Sequence, residues 1–162
     1  MRTFVFDLEA NGLRPDTVFC LVGKDLEQDR LTKFAGPGEI EARLPELEYL
    51  FHQYDRVVAH NLLGYDRFVL SELLGIHIPF HKCFDTLVVS RILYPDRPVP
   101  VGFNSKEGPH SIGAWGFRLG MKKPSHEDWS QYSEYMLHRC TVDVEINEAV
   151  YHELLSEAGG NL

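Results

Sequence analysis

Cysteine is scarce in this chain, and its placement builds no framework. Cys20, Cys83 and Cys140 are odd in number and lack Cys-x-x-Cys spacing, which argues against a disulfide scaffold and for reduced thiols in a cytosolic setting. Cys20 and Cys140 stand among apolar neighbours and read as core. Also missing is any apolar run of membrane-spanning length, and no basic start, apolar centre and small-residue cleavage site opens the chain. A soluble, cytoplasmic protein with no membrane partner is expected. Positive charge is in short supply: 16 Lys and Arg against 24 Asp and Glu give a net charge of −8, which argues against a broad nonspecific nucleic-acid surface. Repeats and low-complexity tracts are absent. What is present, 162 residues with 44% hydrophobic content, suffices for a sizeable core and predicts a single domain over residues 1–162.

The most informative residues are Asp7 and Glu9, two apart at the end of the apolar run Thr3-Phe4-Val5-Phe6. Side chains two apart on a strand share a face, so both carboxylates project from one spot at the tip of a strand built for burial. Such paired negative charge needs compensation, and two hard oxygen ligands side by side suit Mg2+ or Mn2+. Taken alone, the pair fits an ordinary turn equally well, with Asn11-Gly12 just after it.

Two further acids change the balance. Arg56-Val57-Val58-Ala59 reads as a second buried strand, closing with His60-Asn61 and leading into a helical start that carries Asp66. An acid in a first helical turn is favoured by the helix dipole whatever its function. Asp143 is harder to dismiss. It lies in the amphipathic stretch 133–155 among Val144, Ile146, Val150 and Leu154, where a carboxylate needs a partner. Four acids on three elements make a metal-ion constellation.

At this point the residues resemble a known family. Phe6-Asp7-Leu8-Glu9-Ala10-Asn11, then His60-Asn61 through Tyr65-Asp66, then Arg139-Cys140-Thr141-Val142-Asp143-Val144-Glu145 look like the three motifs of the DEDD 3′–5′ exonuclease superfamily. The likeness is greatest to proofreading domains of bacteriophage family-A DNA polymerases. Asp85-Thr86-Leu87-Val88-Val89-Ser90-Arg91, and His110-Ser111 running into Ala114-Trp115-Gly116-Phe117-Arg118-Leu119-Gly120, match that group too. Each motif alone is weak, but five in the right order, from about residue 4 to about residue 155, are specific. The resemblance implies a ribonuclease-H-like sheet of about five strands in an α/β/α sandwich. It further implies a phosphodiester hydrolase with Asp7, Glu9, Asp66 and Asp143 holding two Mg2+ or Mn2+ ions, a single-stranded DNA 3′ end as substrate and a polymerase or other replication partner. A viral chain would work in the host cytoplasm.

One departure bears on mechanism. Members of the nearest group carry Tyr four residues before the last aspartate, where this chain has Arg139. The other branch of the superfamily carries His five residues before it, which His138 supplies. On an uninterrupted helix, positions five apart diverge by about 140 degrees while positions four apart nearly align. His138 therefore reaches Asp143 only if the last helix begins near Arg139, whereas a helix continuous from Ser133 turns Arg139 inward. The first arrangement is the expectation here, with His138 as general base or water-orienting group and Arg139 as a substrate-binding residue.

Local patterns fill in the rest. Residues 17–23 and 30–34 read as strands joined by a polar turn, giving an antiparallel meander with the first strand. A helix over 39–53 precedes the strand at Arg56; a short strand near Cys83 and a helix through Leu93 follow the Asp66 helix. The Pro- and Gly-rich segment 94–109 reads as an ordered loop or flap. Ser111 is a cap for the Ala114-Trp115 helix, and Ser130 or Ser133 for the last one. Strand–helix alternation after mixed strands is an α/β pattern. Asp85, ahead of an apolar helix, reads as a cap or a support for the metal ligands, and Asn61 as a hydrogen-bonding positioner. Arg67, Arg118, Lys122 and Lys123 are available to a nucleic-acid backbone, with Tyr65, Phe68 or Trp115 for base stacking. His77, His81 and Cys83 lack a fourth ligand at zinc spacing. Two other readings stand beside the DNA exonuclease. An RNA or oligonucleotide exonuclease uses the same site. A noncatalytic binding module of the same fold is countered by retention of four mutually repelling acids.

Overall fold

The computed structural model describes residues 1–103, 106–125 and 127–162. Three strands open the chain, β1 (Thr3–Ala10), β2 (Val18–Asp25) and β3 (Arg30–Ala35), paired as an antiparallel meander. Helices α1 (Pro37–Ala42) and α2 (Leu44–Gln53) lead to β4 (Arg56–Ala59), which lies parallel to β1. A π-helical turn (Leu62–Asp66) feeds α3 (Arg67–Leu74). After it come β5 (Cys83–Asp85), parallel to β4, then α4 (Thr86–Leu93), α5 (Ile112–Arg118) and the long α6 (Glu134–Glu157). The five-stranded mixed sheet has the order β3-β2-β1-β4-β5. This is the ribonuclease-H-like α/β arrangement implied by the motifs.

Alternation along β1 sorts its side chains into two cores. Phe4, Phe6, Leu8 and Ala10 join a cluster that includes Leu47, Phe51 and Tyr54 from α2 and its end, and Val69 and Leu70 from α3. Val5 joins the opposite cluster with Phe84, Trp115, Cys140 and Val144. Period-two geometry then puts Asp7 and Glu9 on Val5's face, toward α6. The Cys140 thiol, on α6, donates to the Asp7 carbonyl at 3.3 Å, holding that helix against the strand tip. Among the described residues, no helix is long and apolar enough to cross a membrane.

Two elements differ from the sequence expectation. The helix expected over 39–53 is broken at Arg43 (φ −111°, ψ 19°). Pro45, in the first turn of α2, has no N–H to donate to the Glu41 carbonyl four residues back, and its ring would crowd that carbonyl in a continuous helix. The last helix does not begin near Arg139. Ser133, rather than Ser130, caps it by accepting from the Met136 N–H at 3.1 Å, and the helix runs on without a bend through residue 138.

Gly23 shows how tightly β1 and β2 pack. A Cβ there would sit 2.0 Å from the Phe4 ring. That ring cannot swing aside, because it stacks on Tyr54 at 4.8 Å and meets the edge of Phe51 at 5.7 Å. We predict that Gly23→Ala lowers stability in urea unfolding by about 1–3 kcal/mol, the usual scale of overpacking. Gly38→Ala, on α1 with nothing within 4 Å, should be neutral or slightly stabilising; equal midpoints for the two variants would contradict the packing.

Candidate active site

The tips of β1 and β4, the π-helical turn and the middle of α6 surround a cavity of about 190 Å³ lined by Asp7, Glu9, Asp66 and Asp143 together with His60, Asn61, Tyr65, Lys123, Arg139 and Asn147. One carboxylate oxygen from each of Asp7, Glu9 and Asp143 lies within 4.8 Å of the others. Asp66 lines the same cavity, but its carboxylate falls outside that set of three. Burial first, and then the mutual repulsion of the group, pushes Asp7 well above the ordinary carboxylate range. Burial likewise raises Asp66, with Asp85 and Glu9 adding to it. Glu9 is pushed up to about 7 by burial and Asp143, with Arg139 and Lys123 opposing. Asp143 is raised by burial against the pull of Lys123.

Two cations supply part of the missing compensation. Lys123 Nζ lies 3.1 Å from Asp143 Oδ2, and Arg139 lies 3.9 Å from Glu9. Asp143 Oδ1 remains buried without a hydrogen-bond partner among the described residues. That orphan oxygen, in a set of hard oxygen donors, fits a divalent cation.

The turn after β4 is held in place by Asp85. Its carboxylate accepts from the Leu87 and Val88 N–H groups at the start of α4, and from those of Asn61 and Leu63 at 3.1 and 2.9 Å. Asn61 takes left-handed backbone (φ 64°), a conformation asparagine tolerates better than most residues. Its carbonyl accepts from the Tyr65 N–H at 2.9 Å. Gly64 is needed beside it, since a Cβ there would sit 2.4 Å from the Asn61 side-chain oxygen. The Tyr65 hydroxyl donates to the Gly12 carbonyl at 2.6 Å, linking this turn to the loop after β1. Burial and Asp66 push that hydroxyl up to about 12.

His138 does not join the site. It is exposed on the uninterrupted α6, about 140 degrees around the helix from Asp143, while Arg139 takes the inward position. The expected placement is therefore corrected: with the helix starting at the Ser133 cap, Arg139 rather than His138 faces the cavity. Nor are Arg67, Arg118 and Trp115 free for a strand. Arg67 donates to the Ile78 carbonyl and Arg118 to that of Pro98, and Trp115 is 1% exposed with its indole N–H on Ser90. Phe68 is exposed on α3 and lines a separate pocket.

Sequence reasoning passed over Asn147 and gave His60 no role. Asn147 stands one helical turn after Asp143, a spacing that could have found it, and its Nδ2 is buried without a partner among the described residues. Its Oδ1 accepts from the Thr86 hydroxyl at 2.7 Å, and that hydroxyl also meets His60 Nδ1 at 2.9 Å. Burial, with Lys123 and Arg91 nearby, drives His60 down to about 3 and keeps it neutral.

The fold agrees with that of known proteins. No protein-family model matches the chain. It is homologous to two proteins each described as a DNA-directed DNA polymerase, from Enterobacteria phage T3 and Escherichia phage T7, at 27% identity over 94% of this chain. The chain spans about a quarter, 26%, of either polymerase. Among solved structures, the family B DNA polymerase of Pyrobaculum calidifontis superposes with a TM-score of 0.69 at 17% identity, over 96% of this chain and 24% of that one. The Aedes aegypti Nibbler EXO domain gives 0.68 at 11% identity, covering 97% and 79% of the two chains. E. coli Exonuclease I, solved with a dT13 oligonucleotide, gives 0.64 at 14% identity, covering 98% and 42%. The class is thus an α/β domain with the ribonuclease-H-like exonuclease fold and a buried acidic cluster. Within it, this chain is a homologue of the phage polymerases, consistent with the DEDD 3′–5′ exonucleases.

The raised carboxyls set a pH dependence. The folded protein keeps protons on them that an unfolded chain releases near pH 4, so their stabilising contribution is complete below that range. It is lost as pH rises through the folded value, about 7 for Glu9. We predict that metal-free protein in EDTA melts lower at pH 8.5 than at pH 5.5, that Asp7→Asn shrinks the difference, and that Mn2+ raises the melting temperature most at the higher pH. A melting temperature that is flat or rises across this window would contradict the electrostatics.

Proposed function

We propose that this chain is a divalent-metal-dependent 3′–5′ exonuclease that releases nucleoside monophosphates from single-stranded DNA ends. The observation that carries the reading is the buried convergence of Asp7, Glu9 and Asp143 with one oxygen of Asp143 unpartnered. Asp7, Glu9, Asp66 and Asp143 would hold two Mg2+ or Mn2+ ions, which when bound supply an activated water and stabilise charge on the phosphate and the leaving 3′ oxygen. In the reaction, the water oxygen bonds to phosphorus, the P–O3′ bond breaks, and a proton passes to the leaving oxygen.

The chain's own part is positioning and electrostatics. Asp85 holds the turn carrying Asp66, and Tyr65 ties that turn to the loop after β1. His60, neutral and bonded to Thr86, adds no positive charge to the cavity wall. Beside the acidic cavity a wider one of about 570 Å³ brings Lys122, Lys123 and Arg139 together with Phe103, Phe117 and Trp129. Cations interleaved with aromatic faces suit a single strand's phosphates and bases. The DNA polymerase relatives, and the oligonucleotide named with Exonuclease I, support DNA as substrate and a polymerase or other replication partner as its setting. His138, exposed on α6, is given no part.

The test is digestion of end-labelled single-stranded DNA, duplex DNA and RNA with Mg2+, Mn2+ or EDTA. Single-stranded DNA should be shortened from its 3′ end with either metal and left intact in EDTA. Asp7→Ala should reduce cleavage to background while melting in EDTA no lower than the wild type, since it removes a repelling charge. Digestion that survives EDTA, or an Asp7→Ala protein with undiminished activity, would refute the metal role; preferential cleavage of RNA would refute the DNA assignment.

A further inference from the structure

Arg139 holds the inward position four residues before Asp143, where the resembling family carries tyrosine. On the uninterrupted α6 this spacing aligns the two side chains on one face, and helical side chains lean toward the N-terminus, here over the mouth of the cavity. The guanidinium is underused. Its Nη1 lies 3.9 Å from Glu9 Oε1, beyond hydrogen-bonding distance, and its Nε is buried with no hydrogen-bond partner among the described residues. What fixes it is a ring: the guanidinium carbon stands 4.7 Å from the centre of Trp129. Arg139 also lines both the acidic cavity and the wider one beside it, and so stands where the two meet.

The ring contact holds the guanidinium in place, and spare N–H groups of its planar fork match two oxygens of a phosphate. Lys123 is a poorer candidate, because its ammonium is already committed to Asp143 at 3.1 Å. A guanidinium offers donors and no acceptor, so no proton is relayed through it.

We propose that Arg139 is a substrate-binding residue that grips the non-bridging oxygens of the scissile phosphodiester where the strand passes from the wider cavity into the acidic one. The assignment rests on the nuclease reading above. It makes Arg139 a fixed clamp at the position of the family's tyrosine and leaves proton removal to the solvent side of the reaction. A lysine would keep the charge but lose the planar fork and the stack on Trp129.

Binding without turnover tests this. Affinity for a fluorescein-labelled oligothymidylate is measured in EDTA, with the last 3′ linkage either an ordinary phosphodiester or a neutral methylphosphonate, for the wild type, Arg139→Gln and Arg139→Lys. The wild type should favour the charged linkage by roughly tenfold or more, the scale of hydrogen bonds to a charged group. Both variants, shown folded by unchanged melting, should bring that preference toward unity. Single-turnover cleavage with Mg2+ should fall about a hundredfold in Arg139→Gln, as for loss of one donor to developing charge. If the wild type cleaves DNA but all three proteins show the same linkage preference, the Arg139 assignment is wrong while the nuclease reading stands. If the wild type neither binds nor cleaves the oligonucleotide, both fall.

Discussion

Carboxylates crowded into one partly enclosed pocket repel one another, and the surrounding structure is arranged to hold them there. Asp7, Glu9 and Asp143 approach within 4.8 Å, closer than carboxylates would settle if free to move. β1 cannot retreat, because its other face is locked into the core through Phe4, Phe6 and Leu8. The helix α6 cannot retreat either, being capped by Ser133, held by Cys140 on the Asp7 carbonyl and packed through Val144 and Ile146. Asp85 takes up four N–H groups to fix the third wall. Two apolar cores thus impose a charge arrangement that local electrostatics oppose, and the cations Lys123 and Arg139 relieve only part of it. Such stored repulsion is what a site for hard divalent ions requires before the ions arrive.

The continuity of α6 decides which side chains complete the site. A bend before residue 139 would have offered an imidazole; the straight helix offers a guanidinium. The difference comes from the N-terminal turn, where Ser133 supplies the cap, and Met136 and Leu137 are buried in the first turns. With those anchors in place the helix has no reason to start later. The chemistry changes with it, since a guanidinium binds phosphate and takes no proton.

Much of this was legible in the chain. Two-residue alternation in Thr3-Phe4-Val5-Phe6-Asp7-Leu8-Glu9 put both acids on one face, and the ordered motifs carried the sheet topology that periodicity alone cannot give. The caps at Asp85 and Ser111 were readable because their side-chain chemistry is local. What escaped notice depended on longer range or on competition. The break at Arg43 follows from Pro45 outweighing an otherwise helical pattern. The start of α6 turned on two serines with equal local claims, which only burial could separate. Lys123 read as a surface cation because nothing in its neighbours reveals that its segment folds back onto Asp143, 20 positions away in sequence. Trp115 read as a stacking platform, whereas its indole is buried against Ser90.

The central claim is that the buried acids form a divalent-ion site. Crystals grown with Mn2+ and measured at a wavelength where manganese scatters anomalously test it most directly. The account predicts an anomalous peak among the carboxylates of Asp7, Glu9 and Asp143, with Lys123 moved away from Asp143. A well-ordered crystal with manganese in the solution, no peak between those side chains, and Lys123 still paired to Asp143 would contradict it.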